Sequence, residues 1–276
     1  MSGGSIAVAG RDPFFIFGCQ RSGTTLLSMI LAVHEGVDMI DEDDQRFHQP
    51  GRPTFLLRLD SALAHARESE RVVGYKAPRD THRYREFADA IADPKFIWVW
   101  RPLEQTVNSM CELVIAPEVQ SWAITHAPRE LEKYIGTFTD DAQVAETYRR
   151  ASMISDDRGR ALAFGTICWV AKERTRTRMV AELPGAVHIV TYRDLVESPR
   201  VALVAICEWL GLPWSERLLQ HHLLGRGPRI GNADAARAID RISLDSWRSR
   251  IDDEDLLGID HVLESLGEPT LFGQTR

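Results

Sequence analysis

The chain has 276 residues, 44% of them hydrophobic and 26% charged, with 19 Gly and 13 Pro. That suits one large soluble domain or two small ones, and it excludes collagen-like, low-complexity and disordered classes. A formal charge of −7 argues against a general nucleic-acid binder or a polybasic membrane anchor, while leaving room for a local basic pocket. Cys19, Cys111, Cys168 and Cys207 are far apart and form no CxxC, so reduced thiols are expected rather than a disulfide frame or a metal site. The opening MSGGSIAVAG has no basic segment followed by a long apolar one, and no apolar run is long enough to span a bilayer; the expectation is a cytoplasmic protein. Only Lys76, Lys95, Lys133 and Lys172 are lysines among 33 basic residues. That usage looks bacterial, and it singles out any lysine near a candidate site.

In chain order, Phe14 to Phe17 is a continuous apolar run ending at Gly18, as in a buried parallel strand. Ser22 to His34 follows with Leu26, Leu27, Ile30 and Leu31 at helical spacing. Val37 to Ile40 and Arg71 to Tyr75 suit two further strands. Tyr84 to Ala92 suits a helix stopped by Asp93-Pro94. Phe96 to Trp100 is the strongest strand, and a helix opens at Pro102. Between Cys111 and Pro184 the pattern predicts helices only, over 117–135, 142–153 and 160–183. Val187 to Thr191 is the last strand, Pro199 opens a helix capped by Gly211, 225–236 is a loop, and 251–266 is a terminal helix. The alternation predicts an α/β fold: a P-loop-like parallel sheet of about five strands flanked by helices. A single domain over 1–276 is expected, carrying a helical insertion at roughly 112–184.

Gly18-Cys19-Gln20-Arg21-Ser22-Gly23-Thr24-Thr25 joins the first strand to its helix with the spacing G-x-x-x-x-G-T-T. This is the phosphate-cradling P-loop pattern with Thr24 where Lys belongs. Glycines let the backbone N–H groups turn inward, the helix N-terminus adds positive potential, Thr24 and Thr25 add hydroxyls, and Arg21 is the cation within the loop. The strand Phe96 to Trp100 ends in Arg101, where a P-loop NTPase needs an aspartate for Mg²⁺. Arg101 cannot ligate a metal, but it can grip a phosphate through two N–H groups. Ser109, eight residues on, and its neighbour Asn108 make this a second anion site. Asp41-Glu42-Asp43-Asp44 follows the second strand, at the carboxyl end of the sheet where α/β sites lie. By pattern alone these acids also suit a solvated turn.

FIFGCQRSGTTLLSMIL resembles the 5′-phosphosulfate loop of the PAPS-dependent sulfotransferases, whose donor is 3′-phosphoadenosine 5′-phosphosulfate. RPLEQTVNSM resembles their 3′-phosphate motif, and residues 190–214 resemble their Tyr-x-x-Leu segment with its following helix. The style of the motifs is that of the tyrosylprotein and bacterial branch. The resemblance implies a P-loop-like fold and a sulfuryl transfer from PAPS to a hydroxyl or amine of a small-molecule acceptor, giving PAP, with no metal required. It assigns the phosphosulfate to Arg21, Ser22, Gly23, Thr24 and Thr25, the 3′-phosphate to Arg101 and Ser109, and the adenine side to Tyr192. Glu42 matches the family's base and Lys76 the lysine that steadies the leaving group. Glu35 stands where the family usually has Pro, and Asp41, Asp43, His34 and His48 remain alternative bases. Arg226, Arg229 and Asn232 fall where the family's C-terminal loop closes over the nucleotide. The acceptor pocket is expected from the insertion and the 41–44 turn, with no nucleic acid, no membrane span, and a homodimer left open. A degenerate P-loop kinase or NTPase, or a non-catalytic nucleotide-binding protein, would share the loop. The first conflicts with Thr24 and Arg101, the second with the presence of Glu42 and Lys76.

Overall fold

A computed structural model describes residues 12–47, 56–113, 121–224 and 236–272. The order is β1 (Phe14–Gly18), α1 (Thr24–Leu31), β2 (Val37–Ile40), α2 (Leu59–Glu68), β3 (Val72–Lys76), α3 (Tyr84–Asp89), β4 (Lys95–Trp100) and α4 (Leu103–Glu112). Then come α5 (Trp122–Thr125), α6 (Ala127–Thr137), α7 (Ala142–Ala151), α8 (Asp157–Glu182) and β5 (Val187–Thr191). α9 (Tyr192–Glu197), α10 (Pro199–Leu210), α11 (His221–Leu224), α12 (Ile242–Asp245) and α13 (Asp253–Ser265) complete the series. The described chain falls into two compact units. The first comprises Met1–Gly18, Gly23–Val99 and Met179–Ile239; the second comprises Cys19–Ser22, Trp100–Arg178 and Asp240–Arg276.

The first unit carries the sheet, in the order β2-β3-β1-β4-β5. β1 is parallel to β3 and to β4, and β2 is parallel to β3. Every residue of β1 is buried, which is why it reads as an unbroken apolar run rather than an alternating one. Its side chains still alternate between faces. Phe14 and Ile16 join Leu27, Ile30, Val99, Leu203 and Ile206 in one cluster. Phe15 and Phe17 join an aromatic layer with Tyr75, Phe87 and Phe96, where the Phe15 and Phe87 rings meet edge-on at 4.7 Å. Truncating such a residue costs about 3–5 kcal/mol. α10 runs over the predicted residues and ends at Gly211 with φ 68°, the left-handed turn a glycine C-cap supplies.

The second unit holds α4 to α7, most of α8, and α12 and α13. The helix predicted over 117–135 is two helices meeting at His126, and Pro128 sits in the first turn of α6. Residues 114–120 and the predicted loop 225–236, except Ala236, lie outside the described residues. α2 is an element the sequence pattern did not flag. Its inward face is Leu59, Ala62, Leu63 and Ala66, and two of those four are alanines too small to stand out as a stripe. Among the described residues no helix is long and apolar enough to cross a membrane.

Candidate functional site

The loop from Gly18 to Thr25 is contorted where the sequence predicts a glycine-bounded turn. Gly18 has φ 150° and Gly23 φ 108°, and between them Arg21, at φ 72°, is the one non-glycine residue with positive φ among those described. A side chain in that region is uncommon and costs conformational energy, so the fold around it must hold it there. The Ser22 N–H donates to the Cys19 carbonyl at 3.1 Å. The Ser22 hydroxyl is buried, with no hydrogen-bond partner among the described residues. A buried donor left this way is unfavourable unless a ligand supplies the acceptor.

Within the first unit, Gly23 caps α1, whose first turn contains no acidic residue, so nothing in it offsets the positive end of the helix. Thr24 is buried and Thr25 half-buried. The Tyr192 ring lies on Gly23, close enough that a Cβ there would come within 2.5 Å of the ring. The carboxyl ends of parallel strands share one edge, and here β2 delivers Asp41 and Glu42 while β3 delivers Lys76. Lys76 Nζ, 1% exposed, stands 2.7 Å from Glu42 Oε1 and 3.5 Å from Asp41 Oδ2. Arg79 Nε reaches Glu42 Oε2 at 3.3 Å, and Arg79 also approaches Asp43 at 3.6 Å. Burial works to lower the Lys76 pKa, but Glu42 and Asp41 outweigh it and hold the ammonium above its ordinary value. Burial raises the Asp41 carboxyl, with Glu42 and Asp43 adding to the rise and Lys76 opposing it.

Within the second unit, Arg101 is buried and grips backbone. Its NH1 donates to the Arg21 carbonyl at 3.0 Å, NH2 to the Ser243 carbonyl at 2.6 Å, and Nε to Gln105 Oε1 at 3.3 Å. Its own carbonyl accepts from Trp169 Nε1 at 3.0 Å. Arg21 Nε donates to Ser109 Oγ at 3.3 Å. Arg101 and Ser109, named as a second anion site, thus both touch the residue in the middle of the loop. Asn108 is buried beside them, its Oδ1 without a partner among the described residues.

The sequence reading missed three contributors. Arg79 lies three residues past Lys76, and the spacing Lys-x-x-Arg after a strand was the available signal. Ser243 offers only a carbonyl, which no residue type announces. Glu130, on α6, takes a hydrogen bond from Gln20 of the loop. Of the alternative bases, His34 is spent on backbone: Gly36 N–H donates to Nδ1, and Nε2 donates to the Pro213 carbonyl at 2.8 Å. His48, Arg226, Arg229 and Asn232 lie outside the described residues. Trp98 is buried in the core, while Trp100 and Trp169 are only half-buried and each donates a hydrogen bond, the former to Glu173. Among the described residues no cluster of three or more His, Cys, Asp or Glu could hold a metal ion.

The sequence profile described as "Sulfotransferase family" matches residues 13–216. The sulfotransferase domain from the curacin biosynthetic pathway aligns over 94% of this chain and 99% of its own, at 17% identity and a TM-score of 0.52. The sulfotransferase domain of the Synechococcus PCC 7002 olefin synthase aligns over 94% and 96%, at 18% identity and 0.57. Mouse sulfotransferase SULT7A1, solved with PAP, aligns over 97% and 88%, at 12% identity and 0.51. A search of curated proteins found no match. At these identities the structural likenesses speak for the fold.

Proposed function

Since the chain belongs to the sulfotransferase family, we propose that its donor is PAPS and that it passes the sulfuryl group to a hydroxyl or amine of a small-molecule acceptor. The observation that carries the reading is the buried Lys76 ammonium 2.7 Å from the Glu42 carboxylate, at the carboxyl ends of the neighbouring strands β3 and β2. One group can take a proton and the other can meet developing negative charge, and sulfuryl transfer from a phosphosulfate to a hydroxyl calls on both.

The donor's anionic groups fit residues present in each unit: in the second, the buried Ser22 hydroxyl, without a partner among the described residues, and the cations Arg21 and Arg101; in the first, the α1 N-terminus free of acids. When bound, the donor supplies a sulfuryl group on a phosphate leaving group. The chain does the rest. Ser22, Gly23, Thr24 and Thr25 offer hydroxyls and inward-turned N–H groups to the phosphosulfate. Arg101 and Ser109 take the 3′-phosphate, and the Tyr192 ring fixes the loop's last glycine and borders the adenine. Glu42 cannot take a proton at Oε1 without giving up Lys76, so the two roles are coupled. Negative charge on the leaving side draws Lys76 away, and that frees Glu42 to deprotonate the acceptor.

A thermal-shift comparison of PAP with Mg²⁺-ATP tests the donor assignment. A ligand at 100 times its Kd stabilises by about 2.7 kcal/mol, which moves Tm by several degrees in a chain of this size. PAP stabilises without added metal on this reading. Equal or greater stabilisation by Mg²⁺-ATP overturns it.

A further inference from the structure

Beneath the first half of the phosphate loop, within the second unit, lies a buried charge cluster that the donor assignment leaves unexplained. Glu130 on α6 is 7% exposed. Its Oε2 accepts from Gln20 Nε2 at 2.8 Å and from Lys172 Nζ at 3.2 Å, and its Oε1 accepts from Lys133 Nζ at 2.8 Å. Burial alone would raise this carboxyl, but Lys172 and Lys133 dominate and hold it down at about 2, so it is an anion throughout the working pH range. Two of the four lysines in the chain are committed here. A buried carboxylate is expensive unless fully paired, and replacing such a cluster by apolar residues is often neutral or better. Stability alone therefore does not account for it.

The geometry supplies a role. Gln20 adjoins Arg21, the loop residue held at φ 72°. One turn of α8 presents Lys172 to Glu130 and, four residues earlier, Cys168 to the Cys19 thiol. The strut from Glu130 to Gln20 is charge-assisted, the stronger class of hydrogen bond, and it is anchored at its base by both lysines. We infer that Glu130 is a positioning residue for the phosphate loop, acting through the Gln20 side chain to keep residues 19–22 in the conformation that receives the donor's anion. The functional half of this inference rests on the donor reading above; the mechanical half does not.

Gln20→Leu tests it, because this variant removes the strut and leaves the Glu130–Lys133–Lys172 cluster intact. Unfolding should stay within about 3 °C of the parent. Hydrogen exchange in a peptide covering 18–25 should accelerate about tenfold, and the Kd for PAP should rise about five- to tenfold, part of the worth of one charge-assisted hydrogen bond, since the strut acts on the donor only through the loop. Glu130→Gln keeps the shape and a weaker acceptor, so it should accelerate exchange only about threefold. The Gln20→Leu/Glu130→Gln pair should exchange no faster than Gln20→Leu alone, since residues acting in series are not additive. Unchanged exchange in Gln20→Leu, or additive effects in the pair, overturns the strut. Faster exchange with unchanged PAP affinity overturns the claim that the strut serves the donor. If the parent protein binds no PAP, the donor reading fails, and the exchange comparison still decides whether Glu130 sets the loop.

Discussion

The two units hold their site charges in opposite ways. In the first, Lys76 meets the side-chain carboxylates of Glu42 and Asp41 directly, and Arg79 meets Glu42 and Asp43. In the second, Arg101 spends two of its nitrogens on the carbonyls of Arg21 and Ser243, and Arg21 reaches a hydroxyl. A carboxylate partner can exchange a proton or release its cation as charge moves nearby. A backbone carbonyl can do neither; it holds the guanidinium in place. The first arrangement suits chemistry and the second suits a scaffold that fixes one end of a ligand. Substitutions in the first should therefore cut turnover more than affinity, and substitutions in the second should cut affinity.

The largest effect is expected at Glu42. Glu42→Gln keeps the shape and still accepts a hydrogen bond from Lys76, but it cannot take a proton at neutral pH. Sulfuryl transfer should fall about 10²- to 10⁴-fold while PAP binding stays within about threefold, because no donor contact is lost. Lys76→Met should come next, at about 10²- to 10³-fold in turnover. PAP formation read by chromatography, beside PAP titrations, separates the two quantities. If Glu42→Gln turns over normally, the 41–44 turn is a solvated one and the base lies elsewhere.

Arg101→Ala should act on binding. The Kd for PAP should rise roughly ten- to a hundredfold, the worth of a charge-assisted hydrogen bond. Adenosine 5′-phosphosulfate, which lacks the 3′-phosphate, would be indifferent to an arginine serving that phosphate alone. Because NH1 also holds the Arg21 carbonyl, a smaller loss of about two- to fivefold is expected for it too, as part of one hydrogen bond's worth. Equal losses for the two nucleotides in calorimetric titrations would make Arg101 purely a brace of the loop.

How much of this was legible beforehand follows from what a sequence encodes. The strands announced themselves because burial on both faces forces unbroken apolar runs, as in FFIFG and FIWVW. The loop announced itself because only glycine-flanked backbone takes those dihedrals. Glu42 and Lys76 were named singly from the resemblance, but their pairing was not, since it depends on β2 and β3 being neighbours. The roles of Ser243 and Glu130 were not legible at all. A carbonyl has no residue signature, and Glu130 lies 110 positions from Gln20 on a helix whose acids look like ordinary surface charge.

A milder test uses pH. The Lys76 pKa is raised in the folded protein by Glu42 and Asp41, against the opposing pull of burial. A basic group raised on folding stabilises fully below its unfolded value, about 10.4, and that contribution is lost as pH climbs through the folded value. The parent should thus lose stability above about pH 10 more steeply than Lys76→Met, which has no such proton to release. Urea midpoints between neutrality and about pH 11 measure the difference. Parallel curves would mean that the ion pair adds no net stability at alkaline pH.

The smallest expected effect is at the contact between Gly23 and Tyr192. Gly23→Ala meets two obstacles, φ 108° and a Cβ within 2.5 Å of the Tyr192 ring. The first costs about 1–3 kcal/mol for a residue with a side chain, and the ring can move only by loosening its own packing. Gly23→Ala should lower Tm by a few degrees, about 2–4 °C per kcal/mol at this length. Tyr192→Ala added to it should remove the collision but not the dihedral strain, so stability should return only in part. PAP affinity separates the two causes. If the ring serves only to shape the loop, the double variant should regain affinity along with stability. If the ring also borders the adenine, affinity should stay low after stability has recovered. Full recovery of both would remove Tyr192 from the donor site and leave it as packing for the loop.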